Sequence, residues 1–309
     1  MSKRILVVGS INVDYVIHTD RLPVLGETIV GKDFSMNFGG KGANQAIALA
    51  KSGCEVRMLG AVGTDFPGRS ALENLERSGV DCRAVARADA PTGAAVITVC
   101  GGDNHIILDP GANDTVTPAQ IEAGKELFAW ADLVVMQYEI PAASVLAAAV
   151  LAHAMGKTVL LNPAPMRKMP PELYANVDWI VPNETEAAAL TGIEQKTDAD
   201  AEAAVTALRG LGCRNAIVTL GGRGCAFSDG DEVRYGGIYP VRVADTTAAG
   251  DSFIGGFCSM LCTGAPVGEA VRYAAAVSAV TVSRPGAAVS IPTADEVALF
   301  LKSHRMERP

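Results

Sequence analysis

Asp245-Thr246-Thr247-Ala248-Ala249-Gly250-Asp251-Ser252-Phe253 joins a strand-like run at 239–243 to a helical pattern carrying Phe253, Phe257 and Leu261. A strand, a turn of small residues and a helix form the repeating unit of an α/β fold. A helix that opens on Ala-Ala-Gly presents bare backbone N–H groups, with no bulk to hold an anion away. The unpaired donors and the macrodipole both favour negative charge there, phosphate oxygens included. Asp251, in that first turn, has two readings. It is a base that takes a proton from a hydroxyl beside a bound phosphate, or a helix-start carboxylate that only stabilises the dipole. A small-residue anion cradle over Ala248, Ala249 and Gly250 with a base beside it is what phosphoryl transfer needs.

Outward from this unit, short β-branched runs alternate with helical patterns over most of the chain. Strands are expected at 5–8, 56–59, 133–136, 158–161, 179–181 and 216–220. Helices are expected at 43–51, 69–78, 118–129, 142–155, 184–190 and 199–211. Several of the strands are apolar throughout, as parallel strands covered on both faces are. The pattern implies a doubly wound, mostly parallel sheet flanked by helices, with its ligand crevice at the strand C-termini. Two segments break the rhythm. Residues 13–37 hold strand-like pieces at 15–18 and 28–31 around Pro23 and Gly26, and 93–108 reads as a hairpin turning at Gly101-Gly102-Asp103-Asn104. Together they imply a small β-sheet lid over the crevice.

The 309 residues fit two domains or one α/β domain with an insertion. Hydrophobic residues make up 49% of the chain, yet no apolar run reaches the length of a membrane span. Met1-Ser2-Lys3-Arg4 leads straight into the first strand without a signal-peptide apolar region, so a cytoplasmic protein is expected. Seven cysteines are scattered without a C-x-x-C spacing and read as reduced core residues. Cys258 and Cys262 share a helix face, but no histidine or acid joins them at ligand spacing. A net charge of −8 and a pI near 5.1 argue against nucleic acid as a partner. A local anion site is compatible with that charge.

Further polar turns fall at strand ends. In Gly39-Gly40-Lys41-Gly42-Ala43-Asn44-Gln45 the glycines allow the main chain to approach a polar ligand closely, while Lys41 and Asn44 offer donors suited to a polyhydroxylated molecule. A plain loop with Asn44 as N-cap fits the same residues. Asp14, after the first strand, is able to accept two hydroxyls of a sugar diol or is a turn residue, and Glu139 sits at the same end of its strand. In Asn183-Glu184-Thr185-Glu186 a capping box competes with a role for Glu186 near a magnesium ion through water. Thr219-Leu220-Gly221-Gly222-Arg223-Gly224 is a nucleotide-phosphate turn with an arginine, or a hairpin turn. Gly156-Lys157-Thr158 looks like a Walker A ending but precedes a strand and lacks the earlier glycine, so it is set aside.

In combination these segments resemble the PfkB family of carbohydrate kinases, and within it the ribokinase branch most closely. Gly39 to Ala46 resembles the family's first motif, Asp245 to Asp251 its second, and Asn183-x-x-Glu186 its magnesium and phosphate motif; the likeness runs from Gly9-Ser10-Ile11-Asn12 to Pro285-Gly286-Ala287. The resemblance implies one kinase domain over 1–309, with lid strands inserted at about 13–37 and 93–108, that transfers the ATP γ-phosphoryl group to the O5 of D-ribose. It implies Asp251 as general base and Ala248, Ala249 and Gly250 as the anion hole. Asn12, Asp14, Gly40, Lys41, Gly42, Asn44 and Glu139 would hold the sugar. Asn183, Glu186, Thr219, Gly221, Gly222, Arg223, Gly224, Gly250 and Ala275 would serve ATP and Mg2+, Ala275 falling where relatives often place a histidine near the adenine. A potassium ion would lie among Asp245, Thr247, Thr281, Arg284, Gly286 and Ser290, and the lid would pair two subunits. Ala248 departs from the family's Gly-Ala-Gly-Asp pattern at its first glycine. Other small sugars or a nucleoside as acceptor, and a silent sugar-binding regulator, remain open alternatives.

Overall fold

The computed structural model describes residues 3–101 and 103–307. Its strands are β1 (Arg4–Val8), β2 (Asn12–Thr19), β3 (Lys32–Gly39), β4 (Glu55–Gly63), β5 (Val80–Ala88), β6 (Gly93–Cys100), β7 (Asp103–Asp109), β8 (Leu133–Met136), β9 (Thr158–Leu161), β10 (Trp179–Ile180), β11 (Asn215–Thr219), β12 (Cys225–Asp229) and β13 (Glu232–Gly236). Its helices are α1 (Lys41–Lys51), α2 (Phe66–Arg77), α3 (Pro118–Ala123), α4 (Lys125–Trp130), α5 (Ala142–Ala154), α6 (Pro171–Tyr174), α7 (Glu184–Thr191), α8 (Asp198–Gly210), α9 (Ala249–Leu261), α10 (Val267–Val282) and α11 (Ala294–Ser303).

A nine-stranded sheet runs in the order β13-β12-β11-β10-β9-β8-β1-β4-β5. From β11 across to β5 every pairing is parallel, and β12 and β13 close one edge antiparallel. Alternate side chains of the interior strand β1 enter different cores, as the two-residue period requires. Ile5 and Val7 pack with residues of α1, α2, α9 and α10, while Leu6 and Val8 pack with residues of α3 to α8. Helices therefore cover both faces, which is the doubly wound arrangement read from the sequence. Burying a ring such as Phe257, which meets Trp179 edge-on at 4.9 Å, contributes roughly 1.5–3 kcal/mol. Between β1 and β8 the strand order reverses, and a cleft opens past the carboxyl ends of β9, β10 and β11 on one side of that point.

The lid is a separate four-stranded sheet in the order β3-β2-β6-β7, with β2 and β6 parallel and the other pairs antiparallel. The expected strand at 28–31 is irregular chain instead, and the strand begins at Lys32. Its pairing to β2 is what matters there, and 28–31 lies beyond the β2 end of that ladder. Of the expected hairpin turn, Gly102 lies outside the described residues.

Other boundaries also differ from expectation. The single helix at 118–129 divides at Gly124 into α3 and α4; a Cβ at Gly124 would meet Leu59 Cδ1 at 2.8 Å. Residues 239–243 are not a strand. Pro240 removes a ladder donor, Tyr239 packs edge-on against Phe300, and the following Ala244 and Asp245 N–H groups both donate to Val282 O on α10. That segment is a strap over α10, and it forms one wall of the crevice. All seven cysteines are free, and burial pushes the Cys54, Cys82, Cys213 and Cys225 thiols up to about 12, in keeping with their reading as core residues. Among the described residues no helix is long and apolar enough to cross a membrane.

Candidate active site

The glycine turn before α1 is explained by packing first. Gly40 is the N-cap at φ +90°, and a Cβ there would stand 2.7 Å from Asn12 N. At Gly42 a Cβ would lie 2.5 Å from Ser10 N, and at Gly39 it would lie 2.3 Å from Asp14 Oδ2. Gly40 and Gly42 thus sit against the main chain at the exit of β1, and Gly39 sits against the Asp14 carboxylate. The close fit nonetheless delivers polar groups. Lys41 N–H donates to Glu139 Oε2 at 3.0 Å, which also accepts from Ser10 Oγ at 2.5 Å and Asn12 Nδ2 at 3.5 Å. Asn113 locks Asn12 from beneath: its Nδ2 donates to Asn12 Oδ1 at 2.7 Å and its Oδ1 accepts from Ile11 N at 2.9 Å.

Residues at i, i+3 and i+4 share a helix face, so Asn44 and Gln45 follow Lys41 on the side of α1 that meets α9. Asn44 Nδ2 donates to Asp251 Oδ2 at 3.1 Å and Gln45 Nε2 to Asp251 Oδ1 at 2.9 Å. Asn44 Oδ1 accepts nothing among the described residues although it is buried. Behind Asp251, Gln45 reaches Asn162 Oδ1 at 3.2 Å and accepts from Gln137 Nε2 at 2.6 Å. Gln45, Gln137 and Asn162 were not among the expected site residues. Their signal was position: Gln45 lies one turn after Lys41, and the other two are the first polar residues after β8 and β9.

Asp14, half-buried on β2, completes a group of carboxyls. Burial, then the negative charges of Glu139 and Asp251, push its carboxyl up to about 6. Burial lowers the proton affinity of Lys41, but Asp251, Glu139 and Glu186 together raise it above the usual lysine value. Glu186 is also raised, by burial first, with the Asn183 hydrogen bond and Lys41 opposing. A cation held among three acids and beside a small-residue turn is suited to a charge-rich reaction.

At the start of α9, Ala248 is the N-cap at φ +60°, a left-handed conformation that costs a Cβ-bearing residue about 1 kcal/mol or more. The conformation is the one glycine would take freely. Ala249 N–H is already given to Thr246 O at 3.2 Å, so the open donors of the cradle are those of its neighbours. Asp251 itself is buried, at 7% exposure, and it lines a cleft of about 780 Å³ with Lys41. Asn183, Glu186, Thr219, Gly221, Gly222, Gly224, Gly250 and Ala275 line the same cleft. Arg223 does not; its guanidinium pairs with Glu184 Oε1 at 2.8 Å and with Gln195 O. The turn from 219 to 224 joins β11 to the antiparallel β12, so its hairpin reading holds as well.

Asn183 and Glu186 form the capping box, each side chain meeting the other's backbone N–H at 2.9 Å. Among the described residues no group of three histidine, cysteine or acidic side chains is disposed as a metal cage. Glu186, one buried carboxylate lining the cleft, fits Mg2+, which keeps its waters and needs few carboxylates. Elsewhere Asp245 gathers two segments, accepting from Thr247 N at 2.9 Å, Thr247 Oγ1 at 2.6 Å and Gly286 N at 3.0 Å. Burial opposes its ionisation, but those bonds hold the carboxyl below the usual range. Thr281 Oγ1 instead donates to Ser252 Oγ, Arg284 pairs with Glu296, and Ser290 Oγ donates to Ala287 O.

Residues 2–294 match the model of the pfkB family carbohydrate kinase. A ribokinase of Haemophilus influenzae is 36% identical over 304 residues, spanning 98% of this chain and 99% of that protein. A deoxyribokinase of Salmonella typhi is 34% identical over 300 residues, spanning 96% of this chain and 98% of that protein. The structure of an Arabidopsis thaliana ribokinase complexed with ribose and ATP superposes with a TM-score of 0.93 at 34% identity, covering 98% of this chain and 99% of that one.

Proposed function

The chain belongs to the pfkB family of carbohydrate kinases and is an ATP-dependent sugar kinase, and we propose that its acceptor is the O5 hydroxyl of D-ribose. Asp251 is the general base. Its carboxylate accepts the O5 proton as the oxygen attacks the γ-phosphorus, the bond from that phosphorus to the bridging oxygen breaks, and ADP and ribose 5-phosphate leave. The single observation that carries this reading is the position of Asp251: one buried carboxylate touches Asn44 on the sugar side and lines the cleft beside the small-residue turn.

Asn12, Asp14, Gly40, Lys41, Gly42, Asn44 and Glu139 hold the sugar, and the unpartnered Asn44 Oδ1 supplies an acceptor for a hydroxyl. The backbone turn Ala248 to Gly250 stabilises charge on the moving phosphoryl group, its open N–H groups flanking Ala249, whose own N–H is held by Thr246 O, and Lys41 adds a cation. Asn183, Thr219, Gly221, Gly222, Gly224 and Ala275 bound the nucleotide; Arg223 acts by fixing Glu184. Mg2+ would supply charge neutralisation on the phosphates, and Glu186 would help to hold it through water. Asp245, Thr247, Thr281, Arg284, Gly286 and Ser290 would hold a monovalent cation, potassium, some of them through backbone carbonyls, and it would add positive charge beside the anion hole. Full activity in a buffer whose monovalent cation is only tetraalkylammonium would refute that ion. The chain acts as one kinase domain, in the cytoplasm, and pairs through its lid. Leu25, Val30, Phe34, Ile106 and Ile107 are exposed there, an apolar surface that a second copy would cover.

The 34% identity to a deoxyribokinase favours 2-deoxyribose as the second reading. Sugar-dependent ADP release over ribose, 2-deoxyribose, fructose and nucleosides separates the two, with ribose expected to have the highest kcat/KM. Asp251→Asn is expected to lower kcat roughly 10²–10⁴-fold while the ATP KM stays near normal. Retention of more than about a tenth of wild-type turnover would end the base assignment.

A further inference from the structure

Gln45 is wholly buried and absent from the cleft lining, yet it holds one oxygen of the base. The direction of its amide is fixed by a chain of hydrogen bonds that begins at a group able only to accept. Val181 O takes Asn162 Nδ2 at 2.9 Å, which turns Asn162 Oδ1 toward Gln45. Gln45 must then present its NH2 to Asn162 and Asp251 together, and its Oε1 accepts from Gln137 Nε2 at 2.6 Å. No amide in this chain can reverse without setting oxygen against oxygen. The carboxylate of Asp251 thus meets only N–H donors from behind.

We propose that Gln45 is a positioning residue for the phosphoryl-transfer base, its amide orientation set from the backbone of Val181 through Asn162 and held at its other end by Gln137. This rests on the reading of Asp251 as the base. A donor aimed at a carboxylate favours the ionised form and fixes its rotamer. Gln45 therefore fixes the Asp251 rotamer and leaves its free lone pairs directed at the cleft. Neutral amides serve this purpose where a lysine would form an ion pair and weaken the base. Asn44 makes a similar bond from the sugar side, so only Gln45 tests orientation without touching substrate.

The test is the pH profile of kcat for wild type, Gln45→Met, Gln45→Glu and Asp251→Asn. Gln45→Met is expected to lose kcat roughly 10–100-fold, with both KM values within about 3-fold of wild type. Its acidic limb should move up by about one pH unit. Gln45→Glu keeps the volume but replaces the donor with oxygen, and its acidic limb should move at least as far. Recovery of the wild-type profile by Gln45→Glu would mean that size alone matters, and would overturn the proposal. So would an unshifted limb in Gln45→Met while Asp251→Asn is inactive. An active Asp251→Asn would instead remove the base reading, and the proposal with it. Should Gln45→Met fail to fold, Gln137→Met serves: a smaller shift in the same direction supports the relay, and an unshifted limb in folded protein overturns it.

Discussion

Around Glu139 and Asp251 the site is made of polar side chains already bonded to one another, whereas around Gly222 and Ala275 it is made of bare backbone and small or apolar residues. Glu139 gathers Ser10, Asn12 and the Lys41 backbone, and Asn113 fixes Asn12 in turn. On the other side the cleft wall is Gly221, Gly222, Gly224, Ala248, Ala249, Ala275 and Ala279, with Val241 and Val243 from the strap. The first half has paid its ordering cost in folding and presents a fixed set of donors and acceptors. The second half offers shape and N–H groups, and discriminates by volume. On the proposed function the first wall takes the sugar, many of whose groups are alike, and the second takes a flat base and a phosphate tail.

The contrast predicts unequal costs. Glu139→Ala removes an acceptor from three partners and should lower kcat/KM for the sugar roughly 10²–10³-fold, with the ATP KM within about 3-fold. Ala275→Leu on the opposite wall should raise the ATP KM about 10-fold by filling the cleft, with the sugar KM unaltered. Steady-state kinetics with each substrate varied in turn checks both. Equal effects on both substrates in either variant would show that the halves are not separable.

How far the sequence anticipated this arrangement follows the same division. Strands β8 and β9 were readable to the residue, since Leu133–Met136 and Thr158–Leu161 are short apolar runs buried on both faces. Edge strands were not: β13 alternates exposed and half-buried positions, β5 mixes buried, half-buried and exposed ones, and β12 turns back antiparallel after the 219–224 turn, the hairpin that turn allowed. Residues 239–243 have strand composition but no neighbour to pair with, a fact that only tertiary packing supplies. Within the site, Asp251, Lys41, Asn44 and Glu139 stood out as charged or polar residues at glycine turns and strand ends, and the fold gathers them. Gln45, Gln137, Asn162 and Asn113 did not, because a neutral amide in a buried position has no distinctive pattern until its partners are in place. The arginine of the 219–224 turn misled for the opposite reason. Its charge suggested phosphate, but Glu184 lies within reach first.

Protonation offers a way to weaken one half alone. With its carboxyl pushed up to about 6 by burial and by Glu139 and Asp251, Asp14 protonates as pH falls through that value. It then loses acceptor capacity for the sugar, so the sugar KM should climb up to about 10-fold per pH unit below 6 while the ATP KM holds. Stability has the reverse sign. The folded state binds this proton more tightly than the unfolded chain does, so ionised Asp14 destabilises the fold above about pH 6, and the penalty fades as pH falls toward 4. Asp14→Asn should therefore raise Tm at pH 8, lose that advantage near pH 4, and weaken sugar binding throughout. Thermal melts across that range check the sign, and a destabilised variant at pH 8 would refute it.

The smallest expected effect lies at the turn where the two halves join. Ala248 is one of only two residues other than glycine with positive φ among the described residues, the other being Asp33 in the lid. Its left-handed conformation is forced by position: it must end the strap, which Val282 O holds through Ala244 and Asp245, and start α9 within a few residues. A methyl group adds nothing to the cradle, whose donors are backbone, but it strains the turn. Ala248→Gly relieves the strain and adds freedom to the unfolded chain, leaving a net gain of about 1 kcal/mol or less. In a chain of this length that amounts to a rise in Tm of about 1–3 °C, measurable by calorimetry. A lower Tm in that variant would mean that the methyl group packs favourably against the cleft wall, and the walls would then be less independent than their composition suggests.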